Sequence, residues 1–160
     1  MKKLLGNGWE RALNDYYILY QRMHTMCPEP FEGMKKLITK LKTHHVLVIL
    51  ITGKGKKTCQ ITLQQFGMEN YFDAIEAGSP DKNIKTEALI TLQNKYELSS
   101  DELVYVGDAV SDIISCNQAG IQCLSAAWAK SSDLRQLQEY NEGYVFQTIQ
   151  SLQEYIFNYI

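Results

Sequence analysis

The stretch LVYVGDAVSDI, Leu103 to Ile113, stops an apolar run at Gly107-Asp108 and places a second carboxylate, Asp112, four residues later. If a helix starts just after Asp108, both carboxylates face one crevice. Two carboxylates with a few waters form the donor set of a hard divalent ion such as Mg²⁺, with a substrate phosphate completing the shell. The same residue types also allow a plainer reading, in which Asp108 caps the helix and Asp112 lies on its solvated face. Upstream, VLVILIT ends in Thr52-Gly53-Lys54-Gly55, which sets a hydroxyl and glycine-permitted backbone N–H groups before a helix start. That is a natural seat for an anion, and equally a simple turn. Between the two, GSPDKNIKTEAL opens a helix with Lys82 and Lys85 near its start. Either ammonium can neutralise a phosphate or steady a carboxylate, although as isolated residues both read as solvated.

These side chains are useful only if the chain brings them together. Trp9, Leu13, Tyr16, Tyr17, Tyr20 and Met23 recur at helical spacing until CPEPF breaks the pattern with two prolines. Phe31, Met34, Leu37, Ile38 and Leu41 mark a second helix, which leads into the run Val46 to Thr52, a strand suited to cover on both faces. The alternation continues with a helix over 56–66, a strand over 72–77, a helix over 81–96, a strand over 103–106, a helix over 110–119 and a strand over 121–125. Helices over 133–140 and 148–159 flank a short strand at 144–146. Strands alternating with helices of this length predict an α/β domain with a parallel sheet, helices on both faces, and ligands beyond the carboxyl ends of the strands.

Composition narrows the function classes. A chain of 160 residues, 45% hydrophobic and 21% charged, suits one globular core. Its 16 Lys and Arg against 18 Asp and Glu give a net charge of -2 and no basic run, so nucleic acid and anionic membrane are not expected partners. No apolar stretch reaches the roughly 18 residues of a membrane span, and the start MKKLLGNGWE lacks a signal-peptide core; a cytoplasmic location is expected. Cys27, Cys59, Cys116 and Cys123 show neither C-x-x-C nor zinc spacing and read as free thiols.

The order of Thr52 after an apolar strand, a lysine at a later helix start, and VGDAVSDIISCNQAGIQCL resembles the second, third and fourth motifs of the haloacid dehalogenase superfamily, especially its phosphoglycolate-phosphatase-like hydrolases. PEPFEGMKKLITKLKTHHVLVILITGK and FGMENYFDAIEAG extend the resemblance over about Pro28 to Leu124. It implies a three-layer, Rossmann-like core over 28–160 and a helical-cap remnant over 1–27. It implies a phosphatase acting on a small phosphorylated metabolite. Thr52 and Gly53 would bind phosphate, Lys85, preferred over Lys82, would contact phosphate and nucleophile, and Asp108 and Asp112 would hold Mg²⁺.

That family also needs an Asp-x-Asp at the end of a first strand, for nucleophile and general acid/base. The aspartates here are Asp15, Asp73, Asp81, Asp101, Asp108, Asp112 and Asp133, and no two are separated by one residue. The resemblance therefore implies a truncated chain, poorly active alone, whose open strand edge favours self-association or a complementing N-terminal fragment. A non-catalytic module that keeps the phosphate and metal pocket is the alternative.

Overall fold

Helices and strands alternate along the chain as the apolar spacing predicts. The computed structural model describes residues 6–27, 29–78 and 85–159. A 3-10 turn, Gly6–Gly8, enters α1 (Trp9–His24), followed by α2 (Met34–Thr43), β1 (Ile49–Thr52), α3 (Lys56–Phe66) and β2 (Ala74–Ala77). Then come α4 (Lys85–Tyr96), β3 (Val104–Gly107), α5 (Val110–Ala119), β4 (Gln122–Ala126), α6 (Leu134–Tyr140), β5 (Val145–Phe146) and α7 (Ile149–Phe157). Of the helix expected over 81–96, the first four residues, Lys82 among them, lie outside the described residues.

The strand expected from Val46 pairs only from Ile49, because its parallel partner β2 begins at Ala74, in register with Ile49. Just before that register, Val48 and Asp73 exchange bonds: Asp73 N–H donates to Val48 O at 2.8 Å, and Val48 N–H donates to Asp73 Oδ2 at 2.9 Å. Lys42 completes the clamp with an ion pair to Asp73 Oδ1 at 2.9 Å.

Among the described residues the strands form two parallel sheets rather than one, β1-β2 and β3-β4-β5. The inner edges of β1 and β3 pair with no described strand. The cover expected on both faces of β1 is present, and what is open among the described residues is its edge. Helices do pack on both of its faces, Ile51 against the Leu89 cluster and Leu50 against the Ile38 cluster, yet all four residues stay half-buried because one edge is open. On β3, Val104 and Val106 are 47% and 40% exposed.

Around β4 the three-layer order is plain. Cys123 points to one face, with Leu89, Ile113, Cys116 and Leu137 from α4, α5 and α6. Leu124 points to the other, with Leu37 and Leu152 from α2 and α7 and with Phe146. Each fully buried leucine contributes about 1.5–3 kcal/mol over leaving it in water, so these two faces hold the larger sheet. Helix α1 sits outside this core and packs on α3, with Tyr20 Oη 2.9 Å from Thr62 Oγ1 and the His24 and Phe66 rings 5.0 Å apart. Its Ile18, Leu19 and Met23 are exposed.

Candidate functional site

β1 and β3 end at the same level of one cleft of about 1180 Å³, lined by Thr52, Gly53 and Lys54 from one side and Gly107, Asp108 and Asp112 from the other, with Lys85 between. Parallel strands put their carboxyl ends on one side of a sheet, which is why loops far apart in sequence meet here. The structure thus brings together Thr52, Gly53, Lys85, Asp108 and Asp112.

Asp112 is not on a solvated face. It is 1% exposed, in the first turn of α5, and it is held by four donors. Oδ2 accepts from Asp108 N–H at 3.1 Å and Ala109 N–H at 3.2 Å; Oδ1 accepts from the Lys85 ammonium and from the Tyr105 hydroxyl at 3.4 Å. A carboxylate offers about four lone-pair positions, so the protein itself engages all of them. Ala109, not Asp108, occupies the N-cap of α5. The capping alternative for Asp108 therefore fails: its carboxylate is exposed and hydrogen-bonds to no described residue.

Gly107 makes this packing possible. A Cβ there would fall 2.5 Å from Asp112 Cβ and 2.6 Å from Cγ, well inside contact distance. Gly78, just after β2, has the same role on the other side, since a Cβ would fall 2.4 Å from Gly53 O. It also donates its N–H to Lys54 O at 2.9 Å, fixing the turn that carries Thr52. Thr52 Oγ1 accepts from Lys54 N–H at 3.2 Å, which points the hydroxyl into that turn.

Burial raises the Tyr105 phenol far above its ordinary range, and the charge of Asp112 adds to the effect. The hydroxyl stays protonated and donates. The neighbouring thiols also interact: Cys116 donates to Cys123 and, being buried as well, is pushed up. All four cysteines are free, three of them buried.

The donor set fits a hard divalent ion in one respect. Asp108 presents an exposed carboxylate at the cleft mouth, and hard oxygen donors are what Mg²⁺ takes. Among the described residues no group of three or more His, Cys, Asp or Glu could hold a metal. Of the two described aspartates at this strand end, Asp108 and Asp112, the second is already engaged by four donors. Sequence reasoning passed over Tyr105 and Gly78. A tyrosine inside an apolar strand is a legible signal, since its hydroxyl must find a partner when buried; Gly78 carries none, because its neighbour is set by tertiary packing.

Side chains gathered beyond the carboxyl ends of parallel strands are where an α/β core binds its ligand, and the comparisons with known proteins place the chain in a family. Residues 1–126 match the haloacid dehalogenase-like hydrolase family model, and the chain belongs to that family. It is 26% identical over 132 residues to pyrophosphatase PpaX of Halalkalibacterium halodurans, covering 81% of this chain and 60% of that protein. It is 28% identical over 92 residues to phosphoglycolate phosphatase of Vibrio cholerae, covering 56% of this chain and 41% of that protein. A haloacid dehalogenase-like hydrolase from Streptococcus pneumoniae superposes with a TM-score of 0.69 at 21% identity, over 79% of this chain and 59% of that one. The chain thus spans 60% or less of the length of each of these proteins. Among the described residues no helix is long and apolar enough to cross a membrane.

Proposed function

We propose that this chain carries the phosphate- and metal-binding part of a Mg²⁺-dependent phosphatase site for a small phosphorylated metabolite. The observation that carries the reading is the meeting of Thr52, Lys85, Asp108 and Asp112 at the mouth of one cleft, from the end of β1, the start of α4 and the β3–α5 junction. Thr52 Oγ1 and the Gly53 backbone N–H hydrogen-bond the phosphoryl oxygens. Lys85, anchored by Asp112, sets its ammonium beside the phosphoryl group and whichever carboxylate attacks it. Asp108 would hold Mg²⁺ directly. Asp112, its lone pairs engaged, would act on the ion through the turn it fixes and by its charge. Bound Mg²⁺ supplies charge neutralisation to the phosphate. The pyrophosphatase and phosphoglycolate phosphatase relatives both support phosphoryl chemistry.

The 160 residues contain no Asp-x-Asp. The attacking carboxylate then comes from elsewhere, and the open edges of β1 and β3 offer the place where a strand bearing it enters. A strand between them would lie about 4.8 Å from each and pair with both rows of backbone groups. Residues 1–27 act in this reading as part of a helical cap and 28–160 as the core. Free thiols at all four cysteines suit a reducing, cytoplasmic setting. A non-catalytic phosphate-binding module remains the second reading, favoured by the missing Asp-x-Asp.

The test is Mg²⁺-dependent hydrolysis of p-nitrophenyl phosphate by the chain alone and with a peptide carrying an apolar strand that ends in Asp-x-Asp. Activity that appears only with the peptide and is lost in Asp108→Asn supports the phosphatase reading. Orthophosphate binding without activity in either arm supports the binding module. Strong activity of the chain alone overturns the missing nucleophile.

A further inference from the structure

We infer that Lys54 and Tyr20 form a second anion subsite at the cleft rim, so that the site accepts substrates with a second anionic group beyond the phosphoryl held at Thr52. The inference rests on the assignment of Thr52 to that phosphoryl and extends it to the substrate's other end.

Lys54 lies two residues after Thr52, so their Cα atoms are within about 7 Å. Its backbone belongs to the turn that fixes Thr52, and it lines the same cleft. Its ammonium leaves the turn and donates to Tyr20 Oη at 2.9 Å and to Thr62 Oγ1 at 3.4 Å. Those two hydroxyls are themselves 2.9 Å apart. The result is a closed triangle of one cation and two hydroxyls joining β1, α1 and α3.

Charge counting makes the triangle more than a staple. No carboxylate among the described residues pairs with Lys54, although Lys42, Lys35 and Lys85 all find one. An ammonium has three N–H donors; two are fixed on neutral hydroxyls and the third is left over with the full charge. The Tyr20 ring, 5.6 Å from Nζ, offsets part of that charge from one side. Fixing a long, flexible lysine by two neutral oxygens removes rotamer freedom before a ligand arrives, so the bound anion need not supply that ordering. A neutral leaving group finds no use for this arrangement, whereas a second phosphate or a carboxylate does.

The experiment is titration calorimetry at fixed free Mg²⁺ with two probes, orthophosphate and inorganic pyrophosphate. It uses the wild-type chain and the variants Lys54→Met, Tyr20→Phe and Thr52→Val, each checked for folding by circular dichroism. The wild type is expected to prefer pyrophosphate. Lys54→Met should lower the pyrophosphate-to-orthophosphate affinity ratio about fivefold, the scale of one charge-assisted hydrogen bond near the surface. Tyr20→Phe keeps the ring and should lower the ratio less. Thr52→Val should weaken both probes together. An unchanged ratio in Lys54→Met, with Thr52→Val still weakening both, overturns the second subsite and leaves the phosphate site standing. Unchanged binding of both probes in Thr52→Val overturns the phosphate site itself. Loss of folding in Lys54→Met would assign Lys54 to docking α1, and the Tyr20→Phe ratio then decides: a lowered ratio supports the subsite, an unchanged one rejects it.

Discussion

The Lys85 ammonium, at the first residue of α4, is bonded to Asp112 Oδ1, 27 residues away in the first turn of α5. The two side chains are 21% and 2% exposed. Two helix starts are tied together at the cleft mouth by this pair, and its burial separates the roles of the two aspartates next to it.

Removing Asp112 takes a shared acceptor from the Lys85 ammonium, the Tyr105 hydroxyl and two backbone N–H groups. Asp112→Ala is expected to lose about 3 kcal/mol of stability, the scale for breaking a buried pair. Asp108→Asn, at an exposed carboxylate without a described partner, should stay within about 0.5 kcal/mol of the wild type. Urea denaturation of both variants measures the contrast. If Asp108→Asn destabilises as much as Asp112→Ala, the division between a ligand-facing and a structural carboxylate is wrong.

Gly107→Ala drives a methyl group into Asp112, and Gly78→Ala drives one into the Gly53 backbone. Each is expected to lose about 1–3 kcal/mol by overpacking and to weaken orthophosphate binding through the displaced turn. At Gly53 itself a Cβ would meet nothing within 4 Å. Gly53→Ala should therefore leave stability nearly unchanged, which thermal melts of the three variants would show.

Asp73 has its carboxyl held below its ordinary value of 3.8, first by the bond from Lys42 and then by the Val48 N–H. A depressed folded value means the carboxylate contributes stability above the unfolded value. That contribution is lost as pH falls below about 4 and through the folded value. Solvent screening limits it to about 0.5 kcal/mol. Asp73→Asn should lower stability by that amount at pH 7, and the difference from wild type should shrink as pH falls below about 4 and through the folded value. A gap that persists in acid would point to lost hydrogen-bond geometry instead of charge.

The open edges of β1 and β3 predict concentration-dependent association through exposed Val104 and Val106. Light scattering should show larger species that Val104→Lys reduces, since a lysine on a strand edge opposes edge pairing. A monomer at every concentration would show that the cleft does not recruit a second copy.

Local pattern determined much of this protein. Period-3.6 spacing placed α1, α2, α3 and α5 within a few residues, and the β-branched run before Thr52 placed β1, because each element's apolar face is written in its own residues. Thr52, Asp108 and Asp112 were also visible as a set, since parallel strands must present their ends together. What the pattern could not carry was distance across the fold. Whether Asp112 met water or Lys85, Tyr105 and two backbone N–H groups depended on the approach of α4 to α5 and on the space left by Gly107. An open strand edge was implied by the resemblance, through the missing Asp-x-Asp strand; only the tertiary structure decided that the described strands part into two sheets, β1-β2 and β3-β4-β5. Each strand pairing joins segments about twenty residues apart, and no run of side chains along either one records which neighbour is present.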